Sequence, residues 1–230
     1  MKSIKTKARV AGVLYLVVIL CGIFAEKYVR ATLVDMANGV KTIENITQNE
    51  FLYRLGFVSD LMMQLAYFLL PLVLYRILRN THKWMAFIMV LSVAVAVAIM
   101  CSNMQNHYAP LLFLKGVGEG SEHLQSQVLF YLGLHNIGYH IAQLFFGLWL
   151  LPLGCLVYRS ELFPRIIGVS LMMGCMGYLL DFLVYFILPD IGNELSAWIT
   201  LPADLGEFSL CLFLLIKGVR SKPFKKSTDS

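Results

Sequence analysis

Long apolar runs separated by short polar clusters set the pattern of this chain. Lys2, Lys5, Lys7 and Arg9 precede an unbroken apolar run from Val10 to Ala25. Comparable runs recur until Ile216, each near the roughly 20 residues that carry a helix across a bilayer. The pattern predicts an all-α, polytopic integral membrane protein, a bundle of six transmembrane helices in one domain over residues 1–220. Its spans fall at about 10–28, 54–78, 84–106, 130–158, 163–188 and 200–218. The outer loop 29–50 is expected to hold a short surface helix, and 221–230 to form a basic cytoplasmic tail. The Val and Ala richness of 84–104 does not argue for a strand, because an open sheet edge is not tolerated in lipid. The first run has the charge order of a signal peptide. It reads as an uncleaved span, since it continues through Tyr28, lacks a small-x-small cleavage site and is followed by further spans.

Local signals refine the boundaries. Thr47 and Glu50 have the spacing of a capping box, with Ile46 and Phe51 placed as its hydrophobic staple, so a helix is expected to start near Gln48. Pro71 is expected to kink that helix. No Asp, Glu, Lys or Arg lies between Val128 and Tyr158, which reads as one long helix softened by Gly133, Gly138 and Pro152. Pro202 suits the first position of the last span, with Ala203 to Ile216 completing it.

Composition agrees with the pattern. The chain is 58% hydrophobic and 14% charged, against roughly 45–50% and about 25% for soluble domains. Its five cysteines all fall in apolar stretches without a Cys-x-x-Cys pair, so neither a disulfide framework nor a zinc knuckle is encoded. The net charge of +5 matters less than its distribution. Fourteen of the 19 basic residues lie at the N-terminus, the 76–83 and 159–165 connections and the C-terminus, which places both termini in the cytoplasm by the positive-inside rule. The tail is then a topology determinant that touches anionic lipid, and nucleic acid is not an expected partner. The outer loops carry Glu26, Asp35, Glu44, Glu50, Glu119, Glu122, Asp190 and Glu194.

Several strings are similar to a known family. They are Ala8-Arg9-Val10-Ala11-Gly12-Val13-Leu14-Tyr15, Arg54-Leu55-Gly56 through Asp60-Leu61, His135-Asn136-Ile137-Gly138-Tyr139, Phe145-Phe146-Gly147, and Tyr158-Arg159-Ser160 with Phe163-Pro164-Arg165-Ile166-Ile167-Gly168. Together they resemble the bacterial membrane-protein family catalogued as domain of unknown function 4386. The resemblance implies a six-span bundle in a bacterial inner membrane and brings no defined activity or catalytic residues.

Ionisable and amide side chains inside spans are costly and mark candidate sites. Asp60 and Gln64 lie one turn apart on the second span. Asn103, Asn106 and His107 end the third, His135, Asn136, His140 and Gln143 begin the fourth, Asp181 lies in the fifth, and Asp204 and Glu207 open the sixth. All are expected in the outer half, above an apolar cytoplasmic half. Asn136, His140 and Gln143 share a helical face, whereas His135 points about 140° from His140, so a two-histidine chelate requires the helix to open at Gly138. Asp60 is expected to pair with Arg54 or a histidine. Asp181, on a face with Ser170, Gly174, Gly177 and Tyr185, is expected to point inward. Asp204 and Glu207 have a plain explanation as acids near a helix N-terminus.

This distribution predicts a polar, outward-facing cavity that binds a small or lipidic ligand, lined by Asp60, Gln64, Asn106, His107, His135, Asn136, His140, Gln143, Asp181, Asp204 and Glu207. Membrane lipids are the expected partners, and no cofactor or catalysis is expected. Two alternatives remain open: a metal-dependent intramembrane hydrolase with zinc on His107, His140, Asp181 and Glu207, and a small-solute transporter.

Overall fold

The computed structural model describes residues 2–116 and 122–220, with the backbone alone at 2, 3, 116, 122 and 189–194. The basic tail expected at 221–230 and the outer acid Glu119 lie outside the described residues, as do the side chains of Glu122, Asp190 and Glu194.

The described residues are almost all helical, joined by short connections. Helix α1 runs over Lys2–Ile23, loosens into a π-helical stretch at Phe24–Arg30 and closes with Ala31–Leu33. The short α2 is Gly39–Gln48, followed by α3 at Glu50–Leu78, α4 at Lys83–Gly116, α5 at Glu122–Ser160, α6 at Arg165–Ile187 and α7 at Pro189–Ile216. Six of these, all but α2, are long and apolar enough to cross a membrane. The protein is a multi-pass membrane bundle.

Each long helix packs on the one before it, and α7 packs back on α1, so the six form a closed ring in the order α1, α3, α4, α5, α6, α7. Small residues make the close approaches. A Cβ on Gly12 would meet Leu215 N at 2.8 Å, one on Gly174 would meet the Ala203 Cα at 2.5 Å, and Gly154 and Gly168 face each other's backbone. These are the short-side-chain contacts by which helices associate where lipid provides no hydrophobic drive.

Both chain ends meet at one end of the ring, here the terminal end, where Gly218 lies over Lys5 and Ala8. Gly218 adopts φ 74°, and its N–H donates to Phe213 O at 2.9 Å, the left-handed stop that glycine supplies at helix C-termini. The terminal half is filled by one apolar core that includes Leu74, Met89, Leu153, Phe163, Leu171 and Leu214. At the far end α2 lies across α5. Asn38 caps α2 by accepting the Lys41 N–H at 3.0 Å, and Ile43 packs with Leu124, Val128 and Leu132.

Two boundaries differ from the sequence reading. The Thr47–Glu50 capping box does not form: α2 extends through Gln48, and Asn49 joins it to α3 without capping through its side chain. Phe51 is 75% exposed, and Glu50 instead takes two hydrogen bonds from Arg54, at 2.7 and 2.5 Å. Pro71 lies inside α3, which runs to Leu78, the end that the sequence pattern predicts. Pro202 is inside α7, which begins at Pro189; the Ser170 hydroxyl donates to the Pro202 carbonyl at 3.0 Å. Asp204 and Glu207 therefore lie well beyond the first turn, where the helix-dipole explanation no longer reaches.

Candidate functional site

Three polar clusters occupy the half of the ring away from the termini. The first joins α1 to α3. Because α1 continues past residue 28, Glu26 and Arg30 lie on the helix rather than in a loop. The Arg30 guanidinium donates to Glu26 through Nε at 2.8 Å and also to the Asp60 carboxylate. Asp60 thus pairs with Arg30, while Arg54 is held by Glu50 and the Tyr108 hydroxyl. Asp60 is 1% exposed and Arg30 15%, but Glu26 is 50% exposed. Asp60 Oδ1 and Gln64 Oε1, one turn below it, have no hydrogen-bond partner.

The second cluster joins α4 to α5. Asn103 donates to His135 O at 2.8 Å, and its side chain fills the space above Gly138, where a Cβ would come within 2.3 Å of Asn103 Oδ1. Helix α5 stays closed there, so Gly138 admits Asn103 rather than opening a chelate. His107 is fully buried, stacked on Tyr53 with ring centroids 4.6 Å apart and beside His135 at 5.0 Å. Neither of its ring nitrogens has a partner. Asn106 bonds to Asn103, and the two line an open groove with Ala98, Ile99 and Ser102.

The third cluster joins α5 to α6. Asn136, His140 and Gln143 all address α6. Asn136 donates to the Tyr185 hydroxyl at 3.2 Å, and the His140 ring stacks on Tyr185 at 3.5 Å. Gln143 donates its amide N–H to the Asp181 carboxylate. Its oxygen therefore faces His140 Nδ1, 2.8 Å away, which makes Nδ1 the donor and leaves Nε2 as the acceptor. Asp181 is 2% exposed and points into the bundle.

Glu207 stands below these clusters. It is half-buried and accepts the Tyr15 hydroxyl at 2.7 Å, while the Tyr178 hydroxyl interacts with the same carboxylate. Helix α7 places Glu207 nine residues before Ile216, about 14 Å along the axis. Tyr15 and Tyr67 lie at a similar height from the terminal ends of α1 and α3, so this group sits near the middle of a bilayer core about 30 Å thick. Tyr15 and Tyr67 were missed because each is one apolar-context tyrosine in a long run; only their shared depth opposite an intramembrane acid marks them.

Direct hydrogen bonds divide the candidates among separate helix interfaces. The proposed zinc set is not assembled: His107 and His140 belong to different clusters, and among the described residues no three His, Cys, Asp or Glu side chains come together in a way that could hold a metal ion.

The family model described as Domain of unknown function (DUF4386) matches residues 10–218. The chain belongs to this family. No curated protein and no solved structure matches it. In this DUF4386 chain the matched region contains every one of the groups above, from Tyr15 to Glu207. Its terminal side is closed by the apolar core, with Trp149 packed edge-on against Tyr67 at 5.4 Å directly beneath the tyrosines.

Proposed function

We propose that this DUF4386 protein is a ligand-binding protein of a bacterial inner membrane, with both termini cytoplasmic and a polar recess reached from the outer side that takes a small or lipidic molecule. The observation that carries the reading is a group of buried polar atoms without partners, Asp60 Oδ1, Gln64 Oε1 and both ring nitrogens of His107. Buried polar atoms left unpaired are costly, and a bound polar group would supply their partners. Glu207 forms the floor and the apolar core closes the way to the cytoplasm, which favours binding over open conduction.

The test is native mass spectrometry of the full chain released from its membrane in mild detergent. One bound lipid or metabolite per chain is expected, and Tyr139→Trp, which fills the recess, should expel it. A protein that carries nothing, and whose melting temperature responds to no lipid or solute, would remove the reading. The transporter reading has one specific observation in its favour, the mid-bilayer depth of Glu207; pH-coupled uptake lost in Glu207→Gln would establish it.

A further inference from the structure

The cluster between α5 and α6 ends in unused hydrogen-bonding atoms. Its buried end is the Asp181 carboxylate, 2% exposed, which accepts the Gln143 amide N–H and belongs to none of the ion pairs among the described residues. The amide so oriented presents its oxygen to His140 Nδ1 at 2.8 Å, and the imidazole is left with a bare lone pair on Nε2. A carboxylate inside a span is costly. Here it acts through Gln143 to fix one histidine tautomer, an arrangement that orients an imidazole and strengthens it as an acceptor.

Two more groups meet that nitrogen. The His140 ring stacks face to face on Tyr185, with centroids 3.5 Å apart and planes 17° from parallel, which keeps Nε2 within about a ring's length of the Tyr185 oxygen. Asn136, one turn above His140, donates its amide N–H to that oxygen at 3.2 Å. Among the described residues the Tyr185 O–H then lacks an acceptor and Asn136 Oδ1 lacks a donor. Asn136 is exposed, and His140 and Tyr185 are half-buried. His140 lies 20 residues before Ser160, and Tyr185 20 residues after Arg165, about 30 Å along each axis from the terminal side. That is the thickness of a bilayer core, so the three groups sit where the headgroups begin. Exposed Ile137, Ile141, Leu183 and Ile187 flank them and give acyl chains a surface.

The set offers one donor, the Tyr185 O–H, and two acceptors, His140 Nε2 and Asn136 Oδ1. An ammonium group only donates and leaves the tyrosine unmet; a phosphate or carboxylate only accepts and faces two lone pairs. A hydroxyl does both, and two neighbouring hydroxyls answer all three groups. We infer that this boundary site binds a glycerol-like diol, held by His140 Nε2, Asn136 Oδ1 and the Tyr185 hydroxyl. The diol comes either from the glycerol headgroup of phosphatidylglycerol in the leaflet away from the termini or from a free polyol. The site uses none of Asp60, Gln64 and His107, so it stands apart from the binding reading above.

The experiment reconstitutes the full chain in phosphatidylethanolamine vesicles containing equal parts of phosphatidylglycerol and phosphatidylpropanol, which keeps the charge and the three-carbon headgroup but has no hydroxyl. Native mass spectrometry then records which anionic lipid is retained. In parallel, saturation-transfer NMR in lipid-free micelles compares free glycerol with propanol. Phosphatidylglycerol should be retained at least about tenfold over phosphatidylpropanol. Tyr185→Phe and His140→Phe, which keep a ring in the stack, should each erase most of that preference. Asn136→Ala, at an exposed position, should lower it severalfold and serves if the ring variants do not fold. A lipid preference identifies a headgroup site; contact with glycerol but not propanol, lost in the same variants, identifies a solute site. Equal retention of the two lipids, with no difference between glycerol and propanol, overturns the inference on the unaltered chain, whether or not any variant folds. A hydroxyl preference that all three variants keep also overturns it, because the hydroxyls are then read elsewhere. A lipid that stays bound without regard to its hydroxyls leaves the binding reading intact, and a chain that binds no lipid or solute removes both.

Discussion

Tyr15 on the first span donates its hydroxyl to Glu207 on the last at 2.7 Å, and this bond, near the middle of the bundle, helps close the ring of helices. Toward the chain ends α1 and α7 are in contact through Gly12, and the bond holds the carboxylate in place. Tyr15→Phe keeps the ring that packs on Trp149 and removes only the hydroxyl. It should cost about 1–2 kcal/mol, read as a lower melting temperature of the purified protein. An unchanged melting temperature would show that the bond contributes nothing to closure.

The Arg30–Asp60 pair predicts a different pattern. With Asp60 1% exposed and Arg30 15%, removing one partner strands a buried charge. Asp60→Ala or Arg30→Ala should each cost about 3–5 kcal/mol, whereas replacing both with Leu and Met should recover most of it. Glu26→Gln, on the half-exposed arm of the same guanidinium, should cost under about 1 kcal/mol after solvent screening. A double-mutant cycle in melting temperature checks the coupling, and additive losses would refute it.

Gly174 and Gly133 separate packing from propensity. A Cβ at Gly174 would lie 2.5 Å from the Ala203 Cα, while one at Gly133 meets nothing closer than Met36 Cε at 3.9 Å. Gly174→Ala should separate α6 from α7 and cost about 1–3 kcal/mol, visible as loss of monodisperse protein on size exclusion. Gly133→Ala should be neutral or slightly stabilising in the same assay.

The His140–Gln143–Asp181 chain can be tested at its middle. Gln143→Leu removes the amide that joins them and leaves Asp181, 2% exposed, without its donor, at a cost of about 1–3 kcal/mol. Asp181→Asn in the Gln143→Leu background should restore part of the lost stability, because it removes the stranded charge. No recovery in that double variant would mean that Asp181 has another partner.

Outside the spans, Asp35 makes the region before α2 sensitive to acid. A hydrogen bond from Lys41, at 3.2 Å, and another from the Ala37 N–H hold its carboxyl below the usual Asp value. A carboxyl depressed in the folded state adds stability that is present above its unfolded value and lost as pH falls through the folded one. Amide exchange in α2 should therefore accelerate on acidification, and Asp35→Asn should abolish that acceleration. An identical pH profile in the variant would exclude Asp35 as the cause.

Hydrophobic run length by itself determined the six-helix membrane architecture, because a bilayer core sets how many consecutive apolar residues a span requires. The same reasoning located the intramembrane polar groups, since their cost is a property of each residue and its neighbours in sequence. It placed Asn136, His140 and Gln143 on one face, and all three do address α6. Helix ends were less legible: Thr47 to Glu50 has capping spacing, yet α2 continues through it, and Pro202 resembles a start although α7 begins at Pro189. Partner choice was decided by tertiary structure alone. Arg30, assigned by pattern to a loop, becomes the counter-ion of Asp60 because α1 loosens into a π-helical stretch and reaches it. Tyr15 and Glu207 are 192 positions apart, and no local spacing can announce a bond that exists only because the ring closes.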